Sequence, residues 1–413
     1  MIQELGNYYT YPTYTTLEVE IHSEIEFPAV TICNLNSLSK SSVLNDSRVD
    51  NYYLSIGPRE IHEVQMYNEF NWSDPFYEQY GFFSERKMED ILLEHKPLHQ
   101  GLFNIFVFDQ TIFKLQDSKE YFSVELKPNG PCLTSNKTKI FKTSYTGSDY
   151  NFVMWLNVDR EDSYFGQWLG EGVQFTVHDE EEDPYFQGSS GYYVEPGHEY
   201  YGALRKYTYE YMPEPFKATP TEFCRESSVN GDEYFSTKCW KECYVRYIYE
   251  AYYPICSKYD YVKCARPAKG KFYGNSKMKT TCHCPPACSS TRYEVTLSSS
   301  IFPSDFYNDF LIKAGKDQFE RDFYRKNLIV IHIYFDELKT TIVKQLPVYG
   351  SSVEIFGNLG GQMGLFLGAS IITITELGEF LGFVLWLMWK KCKNGNRTNF
   401  SEEKNGNVTL EEM

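Results

Sequence analysis

Ten of the eleven cysteines lie between Cys33 and Cys288, and the last, Cys392, stands alone beyond a long apolar stretch. An even set of ten on one side of such a stretch predicts disulfides and an oxidising compartment, where those bonds persist. Ten cysteines allow on the order of 900 pairings, so spacing leaves the connectivity open. Cys239 and Cys243 are more constrained: four residues apart on a helix, both sulfurs share one face. A facing Cys-x-Cys strand can then bridge to both. The competing reading is a zinc site built from Cys282, His283, Cys284 and Cys288, which an oxidising setting disfavours.

The apolar stretch, residues 351–389, is the one segment that resembles a membrane span. Its part from 364 to 389 would run about 39 Å as a helix, against a hydrocarbon core of about 30 Å. It ends in Lys390-Lys391-Cys392-Lys393. By the positive-inside rule those lysines put the C-terminus in the cytoplasm and the cysteine-rich body outside. Glu376 and Glu379 interrupt the span, and Gly357, Gly360, Gly361, Gly364, Gly368, Gly378 and Gly382 stud it. An ionisable group inside a membrane usually faces a bundle interior or a water-filled path; carboxylates snorkelling to the interface are the simpler alternative. Closely spaced small residues favour tight helix packing and therefore an oligomer.

Aromatic residues make up 17% of the chain, with 35 Tyr and 30 Phe, and such side chains suit half-buried pleated surfaces. Alternation marks strands at 16–21, 172–177 and 328–335, and helices are expected at 85–94 and 236–252. The class is α+β, with helices to one side of the sheet. The tail after Cys392, rich in Asn, Glu, Lys and Gly, is expected to be disordered. The formal net charge of −16 disfavours nucleic acid as a partner.

Sequons at Asn45, Asn71 and Asn136 agree with an extracellular body, although Asn396, Asn399 and Asn407 carry the same motif. The acidic run Asp179-Glu180-Glu181-Glu182-Asp183 would bind protons or calcium if crowded, and is a solvated loop if not. No histidine falls in a metal-ligand spacing, and neither a nucleophile elbow nor a phosphate loop occurs, so no enzymatic reading has residues to carry it. No cofactor is implied. The N-terminus lacks the basic and apolar regions of a signal peptide.

Phe27-Pro28-Ala29-Val30-Thr31-Ile32-Cys33-Asn34-Leu35-Asn36 resembles the ectodomain signature of the degenerin/epithelial sodium channel family. The segment from Gly357-Asn358-Leu359-Gly360-Gly361-Gln362-Met363-Gly364 to Gly368-Ala369-Ser370 resembles its pore entry and filter. Gly130-Pro131-Cys132-Leu133-Thr134-Ser135-Asn136 and the Cys-x-x-x-Cys and Cys-x-Cys-Pro-x-x-Cys groups are similar to further family elements. The match runs over residues 8–390. It implies a trimeric, amiloride-sensitive, voltage-independent channel passing sodium across the plasma membrane, homomeric or heteromeric, with membrane lipid around it. A large disulfide-rich extracellular domain would have a β-sheet palm and helical thumb and finger.

The organisation so implied is a membrane-proximal linker over 1–15, following a first transmembrane helix that this chain lacks. A ligand-sensing body follows over 16–345, with its thumb about 216–290. The wrist, pore entry and second transmembrane helix take 346–390, and a cytoplasmic tail takes 391–413. The resemblance pairs Cys33 with Cys132, Cys224 with Cys288, Cys239 with Cys284 and Cys243 with Cys282, leaving Cys256 with Cys264. Gly368, Ala369 and Ser370 would form the selectivity filter, where small residues let backbone carbonyls approach an ion. Gly357, Gly360, Gly361, Gly364, Glu376 and Glu379 would line or gate the pore. Phe216 would couple the thumb to Tyr8, Tyr9, Tyr11 and Tyr14 in the wrist; the simpler alternative is a core aromatic.

The gating ligand is a proton or a neuropeptide. Cys264-Ala265-Arg266 puts a cation where proton-gated relatives carry an aspartate. A cation beside carboxylates lowers their pKa, which weakens proton gating and favours a peptide. A single-pass receptor or adhesion ectodomain remains the alternative, and needs no filter-like segment before two carboxylates.

Overall fold

The computed structural model describes residues 6, 8–36, 38–46, 102–113, 118–127, 130–135, 141–164, 170–182, 191–228, 231, 233–252, 266–275, 277–314, 322–350, 354, 357, 360, 361, 364 and 371–402. Two compact units emerge: Met1–Tyr14 with Leu346–Met413, and Thr15–Gln345. The expected helix at 85–94 lies outside the described residues.

The larger unit is a mixed α/β fold built on two large sheets and a third of two strands. Its strands are β1 (Thr13–Ile21), β2 (Ile25–Glu26), β3 (Ala29–Asn34), β4 (Phe103–Phe108), β5 (Thr111–Phe113), β6 (Phe122–Lys127), β7 (Gly130–Ser135), β8 (Lys142–Thr143), β9 (Phe152–Asn157), β10 (Val173–His178), β11 (Tyr192–Val194), β12 (His198–Glu210), β13 (Ser289–Ile301) and β14 (Leu328–Pro347). The helices are α1 (Lys40–Leu44), α2 (Ser118–Tyr121), α3 (Ser236–Tyr252), α4 (Arg266–Gly274), α5 (Lys277–Cys282), α6 (Asp305–Ala314), α7 (Phe323–Asn327) and, in the smaller unit, α8 (Ile371–Glu402).

One sheet runs β13-β12-β14-β9-β4-β5, with β1 also paired to β14. The other large sheet runs β11-β10-β3-β7-β6, and β2 pairs with β8 in the third. All ladders are antiparallel except β12 with β14, which is parallel and carries a bulge between Leu204 and Lys206. A bulge adds local twist where a long strand must bend. β9 alternates inward and outward, as period two demands of a strand with one buried face, with Phe152, Met154 and Leu156 pointing in.

β3 is buried throughout: β10 and β7 pair with its two edges, and the core packs over its faces. Phe27 anchors that core. It stacks on Phe152 at 5.5 Å and meets Phe108 and Phe335 edge-on. Such contacts add to area burial because ring edges and faces carry opposite partial charge. Gly172, just before β10, has φ of +132°, and a Cβ there would lie 2.2 Å from the Val194 carbonyl oxygen. Only glycine fits this close approach of β11 to the start of β10.

The expectation of a disordered tail after Cys392 is corrected as far as Glu402, where α8 ends; residues 403–413 lie outside the described residues. Adding residues to an existing helix forms one hydrogen bond per residue without a new nucleus, so polar composition alone does not stop it. The expectation of a membrane span meets a plain finding: among the described residues, no helix is long and apolar enough to cross a membrane.

Candidate functional site

In the larger unit the cysteines gather one helix and one short strip of chain. Cys239 and Cys243 on α3 are joined to Cys284 and Cys282, with Cα–Cα distances of 5.7 Å in both bridges. Cys224 is joined to Cys288. Because all three zinc-candidate cysteines are in disulfides, no thiolate is left there to bind a metal. Cys33 and Cys132 are direct cross-strand partners on β3 and β7, both buried, with a Cα–Cα distance of 4.3 Å. That spacing suits the closer, non-hydrogen-bonded kind of antiparallel pair. Cys256 and Cys264 lie outside the described residues.

Around these bridges the backbone is fixed. Arg225 N donates to Pro286 O at 3.0 Å, Cys288 N donates to Arg225 O at 3.0 Å, and Tyr211 N donates to Cys288 O at 2.7 Å. The Tyr234 hydroxyl donates to Pro285 O at 2.8 Å, under the Arg225 guanidinium. Phe272 on α4 is buried against Trp240, Tyr244 and Tyr247 of α3.

The acidic run leaves β10 and meets this platform. Glu182 accepts from the Thr237 hydroxyl at 2.9 Å, in the first turn of α3. A cavity of about 300 Å³ opens beside them, lined among others by Asp179, Glu182, Tyr209, Tyr211, Phe235 and Arg292. Its described carboxylates are therefore in part engaged with the protein; Asp183 lies outside the described residues. Beneath them, burial pushes the Tyr293 phenol well above its ordinary range, and the carboxylates of Asp179 and Glu180 push the same way. No local pattern pointed to Tyr293, which sits on β13, more than a hundred residues along the chain from the run.

His178, the last residue of β10, ties the run to the core. Its Nδ1 faces the Asp179 carbonyl oxygen at 2.7 Å and its Nε2 faces the Thr31 hydroxyl at 2.8 Å. A carbonyl only accepts, so Nδ1 carries the proton and Nε2 accepts from Thr31. Thr31 in turn accepts from Thr134, 2.9 Å away. The neutral ring satisfies every member of this buried chain.

Phe216 is half-buried and its amide donates to Pro213 O at 3.1 Å. In the smaller unit, Tyr8 packs against Tyr9 and Tyr349 at 5.4 and 5.9 Å, and Val348 N donates to Pro12 O at 2.9 Å. Tyr11 and Tyr14 are exposed there. Asn45 caps the C-terminal end of α1 and is exposed, whereas Asn71 and Asn136 lie outside the described residues.

Gly357, Gly360, Gly361 and Gly364 are helical, and a Cβ at Gly357, Gly361 or Gly364 would meet nothing within 4 Å. No neighbour within the chain's own described fold requires glycine at those three positions. Gly368, Ala369 and Ser370 lie outside the described residues. Glu376 and Glu379, three residues apart and exposed, share one face of α8. Farther along α8, Phe380, Phe383, Leu385, Trp386 and Trp389 are all exposed, and Lys390 and Lys393 lie over the Trp386 and Trp389 rings at 4.9 and 5.0 Å. An apolar surface of that extent ending in cation–aromatic pairs is what a helix presents to something other than water.

A family model described as amiloride-sensitive sodium channel matches residues 1–380. The chain belongs to the amiloride-sensitive sodium channel family. Within it, the chain is similar to Acid-sensing ion channel 1A of Danio rerio, 27% identical over 437 aligned positions that cover 95% of this chain and 81% of the relative. It is similar to Acid-sensing ion channel 2 of Homo sapiens, 26% identical over 412 positions covering 92% and 77%. For Acid-sensing ion channel 1 of Gallus gallus the figures are 27% over 432 positions, 96% and 78%. Family and relatives alike are ion channels, not enzymes. This sodium channel family member is thus an acid-sensing-channel-like protein of the degenerin/epithelial sodium channel superfamily.

Proposed function

We propose that the chain is one subunit of a trimeric, amiloride-sensitive, voltage-independent and sodium-selective channel of the plasma membrane, opened by an extracellular ligand. The observation that carries the reading is the family match over residues 1–380, which spans the disulfide-stapled body, the glycine segment and the start of α8 together. Residues 16–345 are the extracellular ligand-sensing body, with a palm sheet and a thumb held by the bridges on α3. Residues 346–390 are the wrist, pore entry and membrane-spanning segment, and 391–413 the cytoplasmic tail.

Gly368, Ala369 and Ser370 form the filter, where backbone oxygens replace part of the water around sodium. Glu376 and Glu379 draw cations to the cytoplasmic side. The open space at Gly357, Gly361 and Gly364 supports packing of these glycines against other copies or the pore rather than within one chain. Phe216 passes motion of the thumb to the wrist. Asn45, Asn71 and Asn136 carry glycans. Sodium is cargo, and no cofactor is needed.

The ligand is a proton or a peptide. The relatives' names favour the proton; Arg266, standing where a carboxylate would otherwise add to the acidic cluster, favours the peptide.

The test is electrical. The channel is expressed in oocytes with Gly357→Phe to hold the pore open, and current is recorded in sodium with and without amiloride. An inward current blocked by amiloride is expected. Silence from protein proven to be at the cell surface overturns the self-sufficient pore. Separate application of acid and of peptides to the unsubstituted channel then assigns the ligand.

A further inference from the structure

β12 leaves its sheet where β14 does not. Glu210 and Lys344 are the last register pair of that parallel ladder, and their side chains meet at 3.5 Å. β12 ends at Glu210, whereas β14 runs on to Pro347. Beyond that pair the link is made by a side chain. Gln345 Oε1 accepts from the Met212 amide at 3.0 Å, and Gln345 Nε2 donates to the Lys217 carbonyl oxygen at 2.8 Å. One amide group therefore holds both ends of the loop 212–217.

Its orientation is forced. A side-chain amide has one accepting and one donating end, and turning it about would set N–H against the Met212 N–H and oxygen against the Lys217 oxygen. Two residues of the loop, Pro213 and Pro215, carry no N–H, and the Phe216 amide is spent within the loop on Pro213 O at 3.1 Å. On its far side the chain reaches Cys224, joined to Cys288. Gln345 is also the last residue of the larger unit, and the chain passes from it through Leu346 into the smaller one.

We propose that Gln345 is a positioning residue for gating: its amide closes the loop that carries Phe216 and fastens it to β14, so that displacement of the loop is delivered to the strand that runs on into 346–390. Two hydrogen bonds to one side chain make the loop move with the end of β14 instead of sliding along it. A carboxylate at this position would accept from Met212 but could not donate to Lys217, so the tie requires an amide. The tie stands on the fold alone, and its role in gating rests on the channel reading.

The tie is tested by hydrogen–deuterium exchange on the full chain with Gln345→Ala and Gln345→Glu. In the Ala variant the Met212 amide should exchange about two- to tenfold faster, the span of one ordinary hydrogen bond, with a rise at 216–218 and none at Leu204 in β12. In the Glu variant at neutral pH, Met212 should stay protected while 216–218 rise. Below pH about 4, under the ordinary glutamate pKa of about 4.3, the neutral acid regains a donor, and 216–218 should return to the rates of the unsubstituted protein at the same pH. Glu210, Lys344 and Lys217 are the charged residues beside the position on β12, β14 and the loop, and both proteins share them. An unchanged Met212 in the Ala variant, a uniform rise across β12, or a Glu variant that acid does not restore overturns the tie.

The gating role is tested by current in oocytes. Added to Gly357→Phe, Gln345→Ala should leave the amiloride-blocked current unchanged, since the pore is untouched. Added to the unsubstituted channel at equal surface density, it should cut the current evoked by an acid step about two- to thirtyfold. Silence of Gly357→Phe counts against the channel reading and not against the tie. An undiminished evoked current overturns the gating role. Where acid opens nothing, the exchange results decide alone.

Discussion

In the neutral ring, His178 Nε2 accepts the hydroxyl proton of Thr31 across 2.8 Å, because the Asp179 carbonyl on the other side takes the Nδ1 proton. The contact joins β10 to β3 in the best-buried part of the molecule. Thr31→Val keeps the shape and removes the hydroxyl, and should destabilise the fold by about 1–3 kcal/mol. Thr31→Ser should recover most of that loss. Denaturant unfolding of the three proteins side by side checks both, and equal stability of the Val and Thr forms would show that the hydrogen bond contributes nothing net.

Cys33–Cys132 closes a loop with a sequence separation of 99. Constraint of the unfolded chain over a loop of that length corresponds to about 4.7 kcal/mol. The double variant Cys33→Ala/Cys132→Ala should lose stability on that scale, and because both residues are buried part of the loss will be packing rather than cross-linking. Denaturant unfolding checks the scale, and the variant Cys33→Val/Cys132→Val, which refills the apolar volume without a cross-link, separates the two contributions.

Tyr293 keeps its proton in the folded protein beyond the pH at which the unfolded chain releases one, since its folded pKa is raised. Its contribution is therefore complete below the unfolded value of about 10 and is lost as pH rises above it. Thermal midpoints should fall between pH about 9.5 and about 11.5, and Tyr293→Phe should fall less steeply. A variant whose midpoint falls as steeply as the unsubstituted protein would assign the alkaline loss to other groups.

Gly172→Ala should be strongly destabilising. Its φ of +132° costs an alanine about 1–3 kcal/mol, and the added Cβ would overlap the Val194 carbonyl oxygen, so β11 must shift from β10. Exchange of the Tyr192–Val194 amides should rise more than that of β3. Uniform change across both would mean global loss of stability instead.

Elements with a regular local signal were legible in the sequence. The alternating runs expected at 172–177 and 328–335 fall on β10 and on the first part of β14, because one or both faces there are buried and the pattern records that. α3 was legible from its cysteine spacing together with its length. The second half of β14 was not. Its residues Asp336, Glu337, Lys339, Thr340 and Thr341 carry no apolar alternation: Asp336–Lys339 fall in the break of the β12 ladder, and only from Thr340 does pairing with β12 resume. The disulfide pairing came through the family resemblance and not through spacing. Tyr293 beneath the acidic run and Gln345 against Met212 were invisible, since each depends on strands far apart in sequence meeting in a register that only the folded sheet defines.

The length of β14 has a mechanical consequence. Twenty residues of strand amount to a rod of about 66 Å. Its ladder with β12 is parallel and comes in two blocks, Ile329–Phe335 and Thr340–Lys344. A load along the rod is shared by all rungs of a block in shear, whereas a load across it would unzip them singly. The rod is stiff in tension everywhere except at the bulge between the blocks, which makes that joint the place where it yields first.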